Sequence, residues 1–158
     1  MVSIRCRRLL SGLVALVAAC AVATPAFASV SATYGTANPV LPTVAACAGG
    51  TCMSTSATFA SNGTVATNVT VTITLYRTAK SGATVASTTD YVVKKASITY
   101  STVKGTKSTW TLSAAQKCLT VATVNYGYYT KATMTNGTTA GTVTESSAIK
   151  QLKGCVTV

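Results

Sequence analysis

The 158-residue chain predicts an all-β domain, an antiparallel β-sandwich of about seven or eight strands. Three observations carry that prediction. Residues 69–76 read Val-Thr-Val-Thr-Ile-Thr-Leu-Tyr, so Val69, Val71, Ile73 and Leu75 face one way and Thr70, Thr72, Thr74 and Tyr76 the other. Strict alternation of this kind marks a strand with one buried and one wet face. Turn residues recur at intervals of roughly 8 to 15 residues, and no stretch sustains a 3.6-residue period, which together favour short antiparallel strands over helices.

The chain opens differently. Arg5, Arg7 and Arg8 precede an apolar run over 9–23, which Thr24 and Pro25 end, and Ala26-Phe27-Ala28 has the small-x-small form of a signal-peptidase site. Residues 1–28 are therefore expected to be a secretory signal, too short for a comfortable membrane span and cut after Ala28. A second reading cuts before Cys20, because Val17-Ala18-Ala19-Cys20 resembles a bacterial lipobox and would leave an anchored lipoprotein. The first reading leaves 130 mature residues, one domain of modest core and no later apolar stretch of spanning length.

Elements follow in order. Residues 29–52 are irregular, with Asn38-Pro39 and Leu41-Pro42, and read as an extended segment or edge strand closed by a small disulfide loop; 53–158 form the sandwich. Ala57 and Phe59 lie in a strand ending at Asn62-Gly63, a hairpin-type dipeptide. The alternating strand 69–76 comes next, then Ser81-Gly82 and a short strand around Val85 over 84–88. Residues 91–103 carry Ala96, Ile98 and Tyr100 on one face, and Trp110 and Leu112 share another. Residues 113–117 read as a single helical turn. Leu119, Val121 and Thr123 continue the strand pattern. Tyr126, Tyr128, Ala132 and Met134 alternate up to a second hairpin dipeptide, Asn136-Gly137, and 143–149 give the last strand. The edge formed by Trp110, Leu112 and Cys118 is expected at the centre of the core. At the level of pattern alone the arrangement is similar to immunoglobulin-like sandwiches, with Tyr126 or Tyr128 near a strand corner. The Cys–Trp–Cys order of antibody domains is missing under the pairing favoured below.

Export turns the four mature cysteines into expected disulfides rather than metal ligands. Cys47 with Cys52 and Cys118 with Cys155 is the favoured pairing, because Ala48-Gly49-Gly50-Thr51 can close a tight loop. The chain-entropy argument assigns roughly 2 kcal/mol to the short loop and roughly 4 to the long one. A zinc site is the weaker reading, with no histidine in the chain to complete it.

Chemistry is scarce. With no histidine, neither a Ser–His–Asp triad nor a Cys–His pair can be assembled. The acidic residues are two, Asp90 and Glu145, and paired-carboxylate catalysis would need both in one site. Glycine-rich phosphate loops and calcium loops are missing as well. The chain reads as no enzyme, with no cofactor and no metal.

Charge and tyrosine remain. Without the signal arginines, ten of the 13 basic residues face two acidic ones, about +8 at neutral pH. Lys94, Lys95, Lys104, Lys107 and Lys117 crowd within about 25 residues and are candidates for one anionic-surface patch. The bland alternative gives them to solubility and to guarding edge strands. Arg77 is the single mature arginine, which argues against specific nucleic-acid reading. Tyr126, Tyr128 and Tyr129 are candidates for an aromatic contact, with core filling as the alternative.

These features lead to a secreted, non-enzymatic β-sandwich that binds or coats an anionic cell-envelope polymer, polysaccharide or other extracellular surface. The alternatives are a cationic membrane-active toxin or antimicrobial, and a self-assembling subunit that pairs through edge strands. The mature protein should begin at Ser29. Intact-mass measurement of the exported protein, reduced and non-reduced, checks both the start and the disulfide count; a lipid-modified chain starting at Cys20 would overturn it.

Overall fold

The computed structural model describes residues 35–64, 68–118, 120–136 and 141–156. The expected signal peptide, Cys20, Leu119 and Gly137 lie outside these residues. Nine strands follow one another: β1 (Gly35–Pro39), β2 (Thr43–Cys47), β3 (Gly50–Ser61), β4 (Asn68–Ser81), β5 (Tyr91–Ser101), β6 (Ser108–Lys117), β7 (Thr120–Thr135), β8 (Thr142–Ser146) and β9 (Lys150–Val156). All pairings are antiparallel, and they form two sheets.

In the four-stranded sheet, β3 is the centre. On one side it pairs with β6 along its whole length, from Cys52↔Lys117 to Ser61↔Ser108. On the other side, β2 covers its first half and β1 its second. The five-stranded sheet runs β5-β4-β7, and the far side of β7 is again shared, by β9 along its first half and β8 along its second. Each sheet thus has one lateral edge built from two short strands, and this is why nine strands appear where seven or eight were expected.

The alternation of β4 sets the inside. Val69, Val71, Ile73 and Leu75 are fully buried. Ala37 of β1, Ala57 and Phe59 of β3, Leu112 and Ala114 of β6, Ala132 and Met134 of β7 and Val143 of β8 join three of them in a core drawn from both sheets. Leu112 belongs to this core, whereas Trp110 packs against it half-buried and stacks on Tyr100 at 4.9 Å. A smaller cluster of Met53, Leu75 and Tyr128 fills the end nearer the Cys47–Cys52 disulfide, with Cys118, Tyr126 and Leu152 packed around it.

Polar groups bridge the two sheets where their edges break. Pro39 and Pro42 have no N–H to offer a ladder, so the edge beside β3 is interrupted there. The freed carbonyl of Val40 turns inward. It accepts from Thr55 Oγ1 of β3 at 3.2 Å and from Thr130 Oγ1 of β7 at 2.8 Å, and the two hydroxyls also touch each other. The break between β8 and β9 lies against the same Thr130. Ser147 N donates to Thr130 O at 2.8 Å, and Thr130 N donates to Ser147 Oγ at 2.9 Å.

Four expectations are corrected. Residues 143–149 are not one last strand, because β8 ends at Ser146 and a further strand, β9, begins at Lys150. Residues 84–88 form no strand: Val85 is 76% exposed, and the chain leaves β4 through Gly82 at φ 69°, a conformation that favours glycine. Residues 113–117 are not a helical turn but the second half of β6. Burial of Ala114 beside Leu112 and the open ladder of β3 outweigh the local helix propensity of Ala-Ala-Gln-Lys. Asn62-Gly63 closes no hairpin, because the chain crosses there from β3 to the other sheet. The Cys47–Cys52 disulfide is formed. Cys118 is also disulfide-bonded, and the side chain of its expected partner Cys155 lies outside the described residues.

Either hydroxyl can serve the Val40 carbonyl alone, which makes the bridge testable. Thr55→Val and Thr130→Val should each cost about 1 kcal/mol or less in urea unfolding. The double variant should exceed their sum by about 1–2 kcal/mol, because it alone leaves the carbonyl without a hydroxyl donor.

Candidate functional site

The outer face of the five-stranded sheet is built by the residues that the β4 alternation turns away from the core. Register arranges them in ranks across four strands. Thr99, Thr70, Thr135 and Thr142 form one rank; Ser97, Thr72, Thr133 and Thr144 form the next. Within the ranks Thr70 and Thr99 hydroxyls lie 2.9 Å apart, Thr72 and Ser97 2.8 Å, Thr133 and Thr144 3.3 Å, and Thr142 donates to Thr135 at 3.2 Å. β-Branched threonine suits both the strand backbone and a wet surface.

The third rank differs. Lys95 of β5 and Lys131 of β7 both lie opposite Thr74 of β4, and Ser146 of β8 completes the row. Thr74 is buried between them, 7% exposed. Two strand spacings separate the lysine backbones, about 10 Å. Beyond this row Tyr76 and Tyr129 stack with ring centroids 5.1 Å apart.

The loop over 82–90 folds back across this end of the sheet. Asp90 ties it down: Oδ1 accepts from Ala79 N at 3.0 Å, and Oδ2 accepts from Ser87 N at 2.8 Å and Tyr129 Oη at 3.1 Å. Gln151 Nε2 donates to Ala83 O at 2.6 Å, and the loop comes so close to β7 that a Cβ on Gly127 would meet Ala83 O at 2.6 Å. Tyr76, Ser87, Thr88, Asp90, Tyr129 and Lys131 then line a shallow cleft of about 380 Å³. Tyr129 is left 6% exposed. Its phenol is pushed up to about 12, first by burial and then by the hydrogen bond to and charge of Asp90. Burial also raises Tyr128, against the opposing charge of Arg77.

The lysine run 94–117 does not gather on one face. Lys95 reaches the outer rank, while its neighbour Lys94 lies opposite Leu75 on the edge strand. Lys104 and Lys107 occupy the turn joining β5 to β6, and Lys117 lies at the far end of β6 beside Gly49 and Gly50 of the disulfide hairpin. The cation that joins Lys95 is Lys131, 36 positions later in the chain; only the β4–β7 register brings the two together. Nor do the three tyrosines share a surface. Tyr128 is fully buried, Tyr126 packs on the smaller cluster, and Tyr129 faces outward under the loop.

The two side-chain carboxylates are not brought into one site. Asp90 lines this cleft, whereas Glu145 lines another with Ala37, Asn38 and Ser147 at the broken edges. Among the described residues no group of three His, Cys, Asp or Glu side chains could hold a metal ion, and no helix is long and apolar enough to cross a membrane. What the face offers is cations, ranked hydroxyls and stacked rings. No protein-family model, curated protein or solved structure matches the chain.

The raised Tyr129 phenol sets an alkaline limit. A group whose pKa rises on folding contributes stability that is complete below its unfolded value, here 10.0, and is lost as pH climbs towards about 12. Tyr129→Phe should therefore lose less stability than wild type between pH 10 and 12, measured by thermal melts at each pH. Parallel curves for the two proteins would refute the link.

Proposed function

We propose that this chain is a secreted, non-enzymatic module that binds an anionic, hydroxyl-rich polymer of the cell envelope or extracellular surface through the outer face of its five-stranded sheet. The observation that carries the reading is the row Lys95–Thr74–Lys131, set between hydroxyl ranks and a tyrosine-lined cleft. Two cations at a set spacing attract phosphate or carboxylate groups, ranked hydroxyls exchange hydrogen bonds with sugar or polyol hydroxyls, and the half-buried Tyr76 adds apolar surface beside them. The scarcity of carboxylates favours it too, because few internal anions compete for the lysines.

An immunoglobulin-like architecture is the finer fold reading. Taking β1/β2, β3, β4, β5, β6, β7 and β8/β9 as strands A, B, C, C′, E, F and G, the strand orders become A-B-E and C′-C-F-G. Crossings between sheets after B, C′ and E are those of a Greek-key sandwich. The chain departs from antibody domains in its cysteines, since Cys52 on strand B pairs with Cys47 of the adjoining strand instead of bridging the sheets.

Edge pairing between copies has less support. β5 presents Lys94 and Lys95 on its open side, and its register shifts opposite Leu75 and Tyr76. Lysines and bulges are the devices that keep strand edges from joining.

Binding to an acidic polysaccharide should be detectable at low salt and fall steeply as salt rises. The double variant Lys95→Gln/Lys131→Gln should weaken it more than Lys104→Gln/Lys107→Gln, which removes the same charge elsewhere. Equal loss in both, or no retention by isolated cell walls at low salt, would sink the reading.

A further inference from the structure

Arg77 poses a separate problem. It follows Leu75 by two positions at the end of β4 and lies opposite Tyr91 of β5 and Tyr128 of β7. Its guanidinium carbon stands 4.9 Å from the Tyr91 ring centroid and 4.7 Å from that of Tyr126, both within cation–π range. Two rings therefore hold the guanidinium, and neither accepts a conventional hydrogen bond from its edge. Nε is buried, and among the described residues it finds no acceptor. The residue as a whole is only partly buried, and the Tyr91 ring beside it is 55% exposed.

The chain has two carboxylates to offer such a cation, and both are occupied elsewhere. Asp90 is turned to Ala79 N, Ser87 N and Tyr129 Oη. Glu145 lines the cleft at the broken edges with Ala37 and Asn38. A partly desolvated cation without a counter-charge is costly. The same arrangement also pre-orders the side chain, so a ligand would meet a planar fork whose rotamer freedom is already spent.

We propose that Arg77, held between Tyr91 and Tyr126, is a preformed receptor for an oxyanion, a carboxylate or phosphate group of an external ligand that accepts two parallel N–H bonds from the guanidinium. This site lies on β4 beyond Tyr76 and uses neither Lys95 nor Lys131, so it goes beyond the surface reading above and can fail or stand apart from it. Arginine is suited to the task in a way that the nine lysines are not, because its planar fork matches the two oxygens of a carboxylate or phosphate.

Glucuronate and glycerol phosphate serve as probes of the two oxyanion sources, titrated into the full ¹⁵N-labelled chain. The Nε–H resonance of Arg77, identified by its loss in Arg77→Lys, should shift saturably with at least one probe and not with chloride at equal ionic strength. Arg77→Lys keeps the charge and removes the fork, and it should weaken binding by about tenfold or more. Tyr91→Leu, on the exposed edge strand, should weaken it with the fold retained, and covers the case in which Arg77→Lys does not fold. Lys95→Gln/Lys131→Gln should leave it unchanged. A shift that chloride reproduces, or Tyr91→Leu and Arg77→Lys binding as well as wild type, would overturn the proposal.

Discussion

The carbonyl oxygen of Val40 is reached by hydroxyls from both sheets, Thr55 from β3 and Thr130 from β7. Apolar contact presses two sheets together but leaves them free to slide, because dispersion and the hydrophobic effect carry little direction. A carbonyl shared by two threonines fixes the offset. The proline pair at 39 and 42 releases that carbonyl by stopping the ladder, and Ser147 on the opposite edge stops a second ladder at the same level. Both breaks meet in the cleft lined by Pro39, Leu41, Glu145 and Ser147. Beside these breaks, Ala37 of β1 and Val143 of β8 are buried in one core with Val69, Val71 and Ile73 of β4.

From that frame the outer face follows by parity. A strand has two faces, and once Val69, Val71, Ile73 and Leu75 are committed inward, Thr70, Thr72, Thr74 and Tyr76 must face out. Pairing then copies the pattern onto β5 and β7, which is how Lys95 and Lys131 come to flank Thr74. The end of β4 escapes the rule. The register shift at Leu75 and Tyr76 against β5, and another after Arg77 against β7, loosen the ladder where Arg77 sits between rings.

Much of the scaffold was legible in the residues, for identifiable reasons. Alternation in β4 and β7 survives because both strands are central and each buries one face, over Val69, Val71, Ile73 and Leu75 and over Tyr128, Thr130, Ala132 and Met134, so packing enforces the pattern there. The Cys47–Cys52 loop was legible because a four-residue flexible spacer constrains the partners directly. The misread elements are those whose state depends on partners distant in the chain. Ala114 and Ala115 have no strand preference of their own and became extended because β3 offered a ladder. Residues 84–88 carry Thr, Val and Ala in strand-like order, yet Asp90 holds their backbone at Ser87 in a turn instead of a ladder. The outer cation row was illegible for the same cause: Lys94 and Lys95 are adjacent in sequence but on opposite faces, and Lys131 is distant in sequence but one strand beyond Thr74.

Charge economy links the two candidate surfaces. A chain with 13 lysines and arginines against two aspartates and glutamates cannot neutralise itself by internal pairing, so the placement of its acids matters more than usual. Asp90 has been given to the loop and to Tyr129, where it holds three donors. Glu145 sits at the seam of the two sheets, away from the lysine row. Asp90 thus holds the loop to the sheet. Substituting it should therefore be felt in the order of the loop over 82–90. The buried side chains of the two core clusters, drawn from β1, β3, β4, β6, β7 and β8, are all uncharged, and Lys95 and Lys131 are not among them. Lys95 and Lys131 are thus held in register by central strands whose core contacts do not involve them.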